Sequence, residues 1–195
     1  MNTSELISKF SARIELPIDV NDLLPVLQAS GEETDIEFIG VELDPEILQG
    51  KIKVFHIRNT LYGEPKRCAN IYYHRGHTTD WQRFICCKEL LHLLDPSAAT
   101  TSTPEDIAEL ARKIGLPQYM QDPMADGLDT NVDRLAEFRA ASILLPYAAR
   151  EVLMQPLSED KLTLADIARM ADIPRKYVGL VMSDYWPAIH SLFTR

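Results

Sequence analysis

The run at residues 83–95, Arg-Phe-Ile-Cys-Cys-Lys-Glu-Leu-Leu-His-Leu-Leu-Asp, constrains the fold more than any other stretch. Wound as a helix at about 100° per residue, it brings Asp95, Lys88, His92 and Glu89 into about a third of the circumference, interrupted by Ile85. Phe84, Leu91, Cys87, Leu94, Leu90, Cys86 and Leu93 occupy most of the rest. A helix apolar around that much of its girth belongs inside a protein. Lys, Glu and His are costly to bury unless they satisfy one another, so the polar strip must face solvent or line a cleft.

A chain of 195 residues can bury such a helix within one compact domain, or one domain with a small appendage. The apolar share of 46% and charged share of 25% are those of a soluble globular protein. With 29 acidic and 20 basic side chains the formal charge is −9, which disfavours sequence-blind attraction to nucleic acid or anionic membrane. Three cysteines, Cys68, Cys86 and Cys87, are no disulfide framework, and a reducing compartment suits them. The first residues lack signal-peptide zones and no apolar run approaches about 18 residues, so a cytoplasmic protein without a membrane partner is expected.

In chain order, residues 3–14 predict an amphipathic helix, and Asp19 or Asn21 can cap a second over 22–28. Period-two alternation over 35–43 and 51–58, and the run 69–74, predict three strands in a small antiparallel sheet. Asp95-Pro96 ends the central helix. Thr103-Pro104-Glu105-Asp106 carries the start signals of a helix reaching about Ile114, residues 118–131 read as a mobile loop, and 131–145 form a helix ended or kinked by Pro146. Residues 162–178 have the spacing of a helix-turn-helix, in which Arg175 and Lys176 are the cations a DNA-binding role would use. Its charges balance from Leu157 onward, so packing on the rest of the chain competes with DNA reading.

Lys88-Glu89-Leu90-Leu91-His92 has the layout of the zinc-protease helix motif HExxH, with Lys where the first His would stand. A zinc site needs a third protein ligand, commonly from a later helix. On the helix at 133–146, Asp133, Glu137, Ala140 and Leu144 share a face, and its small residues admit a close neighbour that could bring a carboxylate to His92.

Taken together, these segments resemble the ImmA/IrrE family of zinc metallopeptidases. That family shows an Arg-Phe-led HExxH helix, then a helix of roughly Glu-x-x-Ala-x-x-Phe-Ala-Ala-x-Leu-Leu-Met-Pro, then a helix-turn-helix-like region. Aligned on Pro146, the family's Glu ligand falls on Asp133, Ala136 and Ala140-Ala141 match, and the family's Phe falls on Arg139. Leu16-Pro17-Ile18-Asp19-Val20 is similar to the family's early Pro-x-Asp-Val stretch. The resemblance implies an α+β, zincin-like domain over residues 1–155, with a small antiparallel sheet against a helical body, and a helix-turn-helix-like subdomain over 156–195. It further implies zinc on His92 and Asp133, Glu89 as general base, and a repressor-like protein as substrate or partner in mobile-element or stress regulation.

Lys88 opposes that chemistry. A protonated lysine has no lone pair for a metal, and its ammonium repels one. Cys87 lies about 140° around the helix from His92 and cannot replace the missing ligand. The favoured reading is a pseudopeptidase: the Lys88 ammonium fills the cation's place and pairs with Glu89 or Asp133, no zinc is held, and the chain works as a cytoplasmic regulatory module that binds a protein. One alternative is an active zinc endopeptidase with Glu89 as base and His92 and Asp133 on the metal. Another is a DNA-binding regulator acting through Arg175 and Lys176.

Blander roles remain for the other candidates. Glu137 reads as a surface acid near Arg134 or Arg139. His74-Arg75-Gly76-His77 offers two imidazoles to a metal, yet its place at a strand end and its glycine favour a turn. Cys86 and Cys87 read as core packing, and Tyr72, Tyr73 and Trp81 as sheet packing or stacking surfaces.

Overall fold

The computed structural model describes residues 2–29, 34–42, 50–58, 63–94 and 128–194, with side chains in the last segment from 134 onward. The helix expected from Thr103 and residues 118–127 of the expected loop lie outside the described residues; the rest of that loop is corrected, since the helix begins at Leu128 and not at Asn131. The fold is α+β: a three-stranded sheet and, among the described residues, eight α-helices.

Strands β1 (Thr34–Val41), β2 (Gly50–Ile57) and β3 (Lys66–His74) stand in the order β1-β3-β2. The antiparallel expectation is corrected here. β2 runs antiparallel to β3, but β1 runs parallel to it, with Thr34 opposite Arg67 and Val41 opposite His74. The physical reason is that β3 carries the apolar set Cys68, Ala69 and Ile71, all buried, and takes the middle of the sheet between the two earlier strands. A 2.6 Å ion pair between Lys66 and Asp35 joins the starts of the two parallel strands. Alternation tells which face a side chain takes, not which neighbour a strand pairs with.

The central helix α3 (Thr79–Leu91) packs on β2 and β3 and also on α4 (Leu128–Leu144). Phe84, Ile85, Cys86, Cys87, Leu90 and Leu91 are all buried, as their spread around the helix requires. On α4 the residues Ala136, Ala140 and Ala141 have no exposed surface, and side chains that small let neighbouring helices approach closely. At the N-terminus α1 (Thr3–Phe10) is opened by an Asn2–Glu5 capping box, and it stops short of the expected residue 14. Asp19, not Asn21, caps the turn that leads into α2 (Leu23–Gln28).

After Pro146 the chain forms α5 (Tyr147–Ser158), α6 (Leu164–Ala171), α7 (Arg175–Val181) and α8 (Trp186–Phe193). The helix-turn-helix spacing is realised in α6 and α7. A Thr163–Asp166 capping box starts α6, and Asp172 ends it in the left-handed region at φ 50°. Two arginines tie this end of the chain down. Arg83 of α3 donates to the Asp172 carboxylate at 2.7 Å, to the carbonyls of Asp172 at 3.2 Å and Ala171 at 3.4 Å, and to the Ile18 carbonyl. Arg150 of α5 donates to the carbonyls of Val181 at 2.8 Å and Ser183 at 3.1 Å. Each guanidinium therefore caps the C-terminal end of a helix, where carbonyls lack partners and the helix dipole is negative.

His190 on α8 makes a third tie. Ser11 Oγ donates its proton to the Ile7 carbonyl at 2.8 Å, so the 3.1 Å contact to His190 Nε2 has the imidazole as donor. The ring also lies 4.7 Å from that of Tyr147. Burial lowers the pKa of His190 below its ordinary value.

Two outcomes follow. Arg83→Ala is expected to destabilise the fold by about 2–4 kcal/mol in urea unfolding, with Arg83→Lys recovering little, because an ammonium cannot serve this set of acceptors as a planar fork does. For His190, the unfolded chain takes up its proton at about pH 6.5 and the folded chain only at lower pH, so stability falls as pH drops below about 6.5. Urea midpoints compared between about pH 7.5 and 5.5 should fall less steeply in His190→Gln.

Candidate site on the central helix

Lys88 and Glu89, the two members of the polar strip that lie in α3, face inward. Glu89 is 4% exposed, and the Lys88 side chain 11%. Lys88 Nζ lies 3.0 Å from Glu89 Oε1. Adjacent helical residues point about 100° apart and do not ordinarily face each other. Burial removes water as the alternative partner, and the two side chains bend together.

Gly50, the first residue of β2, explains how the sheet reaches this point. A Cβ added there would overlap Ile85 Cγ2 and come within 3.2 Å of Glu89 Cγ. The backbone of β2 therefore sits directly on the side chains of α3 one turn apart, a contact that only a residue without a side chain permits. No sequence signal for the site pointed to Gly50.

α3 ends earlier than expected from Asp95-Pro96. Leu91 is its last residue, and His92–Leu94 form a turn of 3-10 helix in which the His92 N–H reaches the Glu89 carbonyl. Tightening of a last turn in this way satisfies carbonyls that would otherwise lack donors. His92 is half-buried at the start of that turn. Asp133 lies in α4, which packs along α3, but its side chain is outside the described residues, and so is any meeting of Asp133 with His92. On the same face of α4, Glu137 is half-buried and Ala140 and Leu144 are fully buried.

The described part of the motif places a cation and an acid side by side. Of the described side chains at the motif, Lys88 presents a cation at the first ligand position, and the carboxylate that would activate a metal-bound water is already paired with it. What the arrangement can do is hold charge. It stores a buried ion pair at the junction of α3 with the first residue of β2.

At the opposite end of α3 an aromatic group joins the central helix to α7. The Phe84 and Tyr177 rings stack with centroids 3.6 Å apart, and Trp81 meets both edge-on. Lys176 Nζ lies 4.8 Å from the Trp81 ring centre and 4.4 Å from that of Tyr177, so this cation is held over aromatic faces. Arg175 is exposed at the first turn of α7, while Tyr177, Val178 and Val181 are buried. α7 thus turns its apolar side onto the body of the protein.

The remaining sequence candidates have structural places. The residues 74–77 form a turn, with the His77 N–H on the His74 carbonyl at 3.3 Å. Cys86 and Cys87 are buried, and burial, followed by the charge of Glu89, pushes the Cys86 thiol up to about 12. Such a thiol is packing material and not a nucleophile. Tyr72 accepts a hydrogen bond from Asn70 at 3.2 Å. Arg83 and Arg150 were not singled out as functional, although Arg83 heads an otherwise apolar helix, and a charge in that position signals an acceptor waiting elsewhere in the fold.

A double-mutant cycle tests the buried pair. Lys88→Met, which leaves Glu89 buried and unpaired, should cost about 3–5 kcal/mol in urea unfolding, and adding Glu89→Leu should return most of that loss. Additive losses would show that the two charges do not depend on each other.

Comparison of the chain with protein-family models, with curated proteins and with solved structures gives no match.

Proposed function

We propose that this protein is a degenerate relative of the ImmA/IrrE zinc metallopeptidases: a zincin-like regulatory module that binds a protein partner and does not cleave it. The observation that carries this reading is the 3.0 Å contact of Lys88 Nζ with Glu89 Oε1 in a buried setting. In a working HExxH helix the first position donates a lone pair and the Glu is free to take a proton from metal-bound water. Here one residue is a cation and the other is its counterion. An ammonium in that place neutralises the acid without a metal and keeps the surrounding elements packed.

A repressor-like protein is the partner class that the resemblance suggests, and a cytoplasmic setting agrees with the three free cysteines among the described residues. Among the described residues no helix is long and apolar enough to cross a membrane. DNA reading by α7 is the weaker proposal, because the charges from Leu157 onward balance and Lys176 lies over the Trp81 and Tyr177 rings.

Metal analysis of untagged protein purified without added zinc tests the proposal. The expected outcome is no zinc that depends on His92, with Lys88→His creating a site for one ion per chain. Zinc bound by the unaltered protein and lost on His92→Ala would overturn it and establish the alternative of an active metalloendopeptidase. A protein partner would then be a substrate, recognised by its cleavage.

A further inference from the structure

The turn between β3 and α3 is held more firmly than a connection needs to be. The Arg75 N–H bonds the Val41 carbonyl at 2.8 Å, and its guanidinium reaches the Gly40 carbonyl at 2.6 Å. The Gln82 side chain, one turn into α3, donates to the carbonyls of Arg75 at 3.0 Å and His77 at 2.6 Å. Gly76 lies against the His74 ring: a Cβ there would come within 2.6 Å of His74 Nε2. The scaffold fixes two imidazoles: His74 and His77 have ring centroids 5.0 Å apart and ring planes at 86°.

His74 Nδ1 and His77 Nε2 are both closed off from solvent, and neither has a hydrogen-bond partner among the described residues. A buried polar atom without a partner costs about 1–3 kcal/mol, and two of them on adjacent rings call for an explanation such as a bound ion. With metal–nitrogen bonds of about 2.0–2.1 Å and about 1.1 Å from nitrogen to ring centre, two imidazoles on a tetrahedral ion have centroids about 5 Å apart. The observed spacing meets that requirement.

We propose that His74 and His77 form a bis-imidazole site for a divalent transition ion of the Cu2+, Ni2+ or Zn2+ class, carried on the turn that leads into the central helix. Imidazole nitrogen suits these ions and not Ca2+ or Mg2+. Two protein donors leave the ion's other positions to ligands from outside the chain, unlike a structural zinc centre with four protein ligands. Trp81 stacks on His77 at 6.1 Å, placing the site at the edge of the aromatic group that docks α7. The site lies before the first residue of α3 and uses neither Lys88, Glu89 nor His92, so it stands independently of the pseudopeptidase reading.

Copper titration of the untagged full chain, followed by electron paramagnetic resonance, tests the site. One Cu2+ per chain with two nitrogen donors is expected, with the affinity falling at least about tenfold in His74→Asn and in His77→Phe, since each removes one of the two imidazoles. Phe at 77 keeps a ring against Trp81. In the unaltered protein, substoichiometric Cu2+ should broaden the ring C2–H resonances of two of the five histidines. Affinity unchanged in both variants, broadening that follows His56, His92 or His190, or absence of stoichiometric binding would overturn the proposal.

Discussion

The structure depends first on guanidinium groups that close helix ends belonging to other parts of the chain. Arg83 reaches from α3 to the left-handed turn at Asp172 and to the Ile18 carbonyl, so a single side chain ties together the N-terminal segment, the central helix and the α6–α7 pair. Arg150 does the same for the end of α7. The last carbonyls of a helix need donors, and a planar fork with several N–H groups can serve several of them at once. A buried backbone carbonyl without a donor would cost about as much as a lost hydrogen bond, so these two residues convert a liability of short helices into the means of docking them.

With the C-terminal helices docked this way, Phe84 and Tyr177 stack, Trp81 meets both edge-on, and Lys176 lies over the Trp81 and Tyr177 rings. A helix in the second position of a helix-turn-helix reads DNA with its outward side. In this protein the buried side of α7 carries Tyr177, Val178 and Val181, and its cation-bearing first turn leans on Trp81. The pattern packs its apolar side on the body of the protein, and Arg175 and Lys176 are exposed at its first turn.

On the central helix two opposite charges meet away from solvent. Lys88 and Glu89 are adjacent in sequence and buried together, and each supplies the counter-charge that the other needs. A metal would satisfy Glu89 through water, and Lys88 satisfies it directly. In our proposal the fold keeps its geometry at this point because an ammonium and a dication both answer the same electrostatic demand of a buried carboxylate. The turn at the other end of the helix carries two ring nitrogens, His74 Nδ1 and His77 Nε2, that are closed off from solvent and have no hydrogen-bond partner among the described residues.

What the residues determined by themselves is the inventory: a central helix that had to be buried, strands at three places, helices ended by Pro146 and begun at Asp19, and thiols with no bridge to make. Periodicity and capping chemistry are local, and local rules suffice for them. The sequence also exposed the Lys88-Glu89-x-x-His92 anomaly, because ligand chemistry depends on side-chain type alone. Only the tertiary structure decided that β1 runs parallel to β3, that α3 tightens at His92, that Gly50 seats β2 on Glu89, and that Arg83 and Arg150 cap helices far away in the chain. Those features join residues distant in sequence. Strand order, close backbone approach and donor–acceptor pairing are settled by which surfaces must be covered when the whole chain packs, and no window of neighbouring residues contains that information.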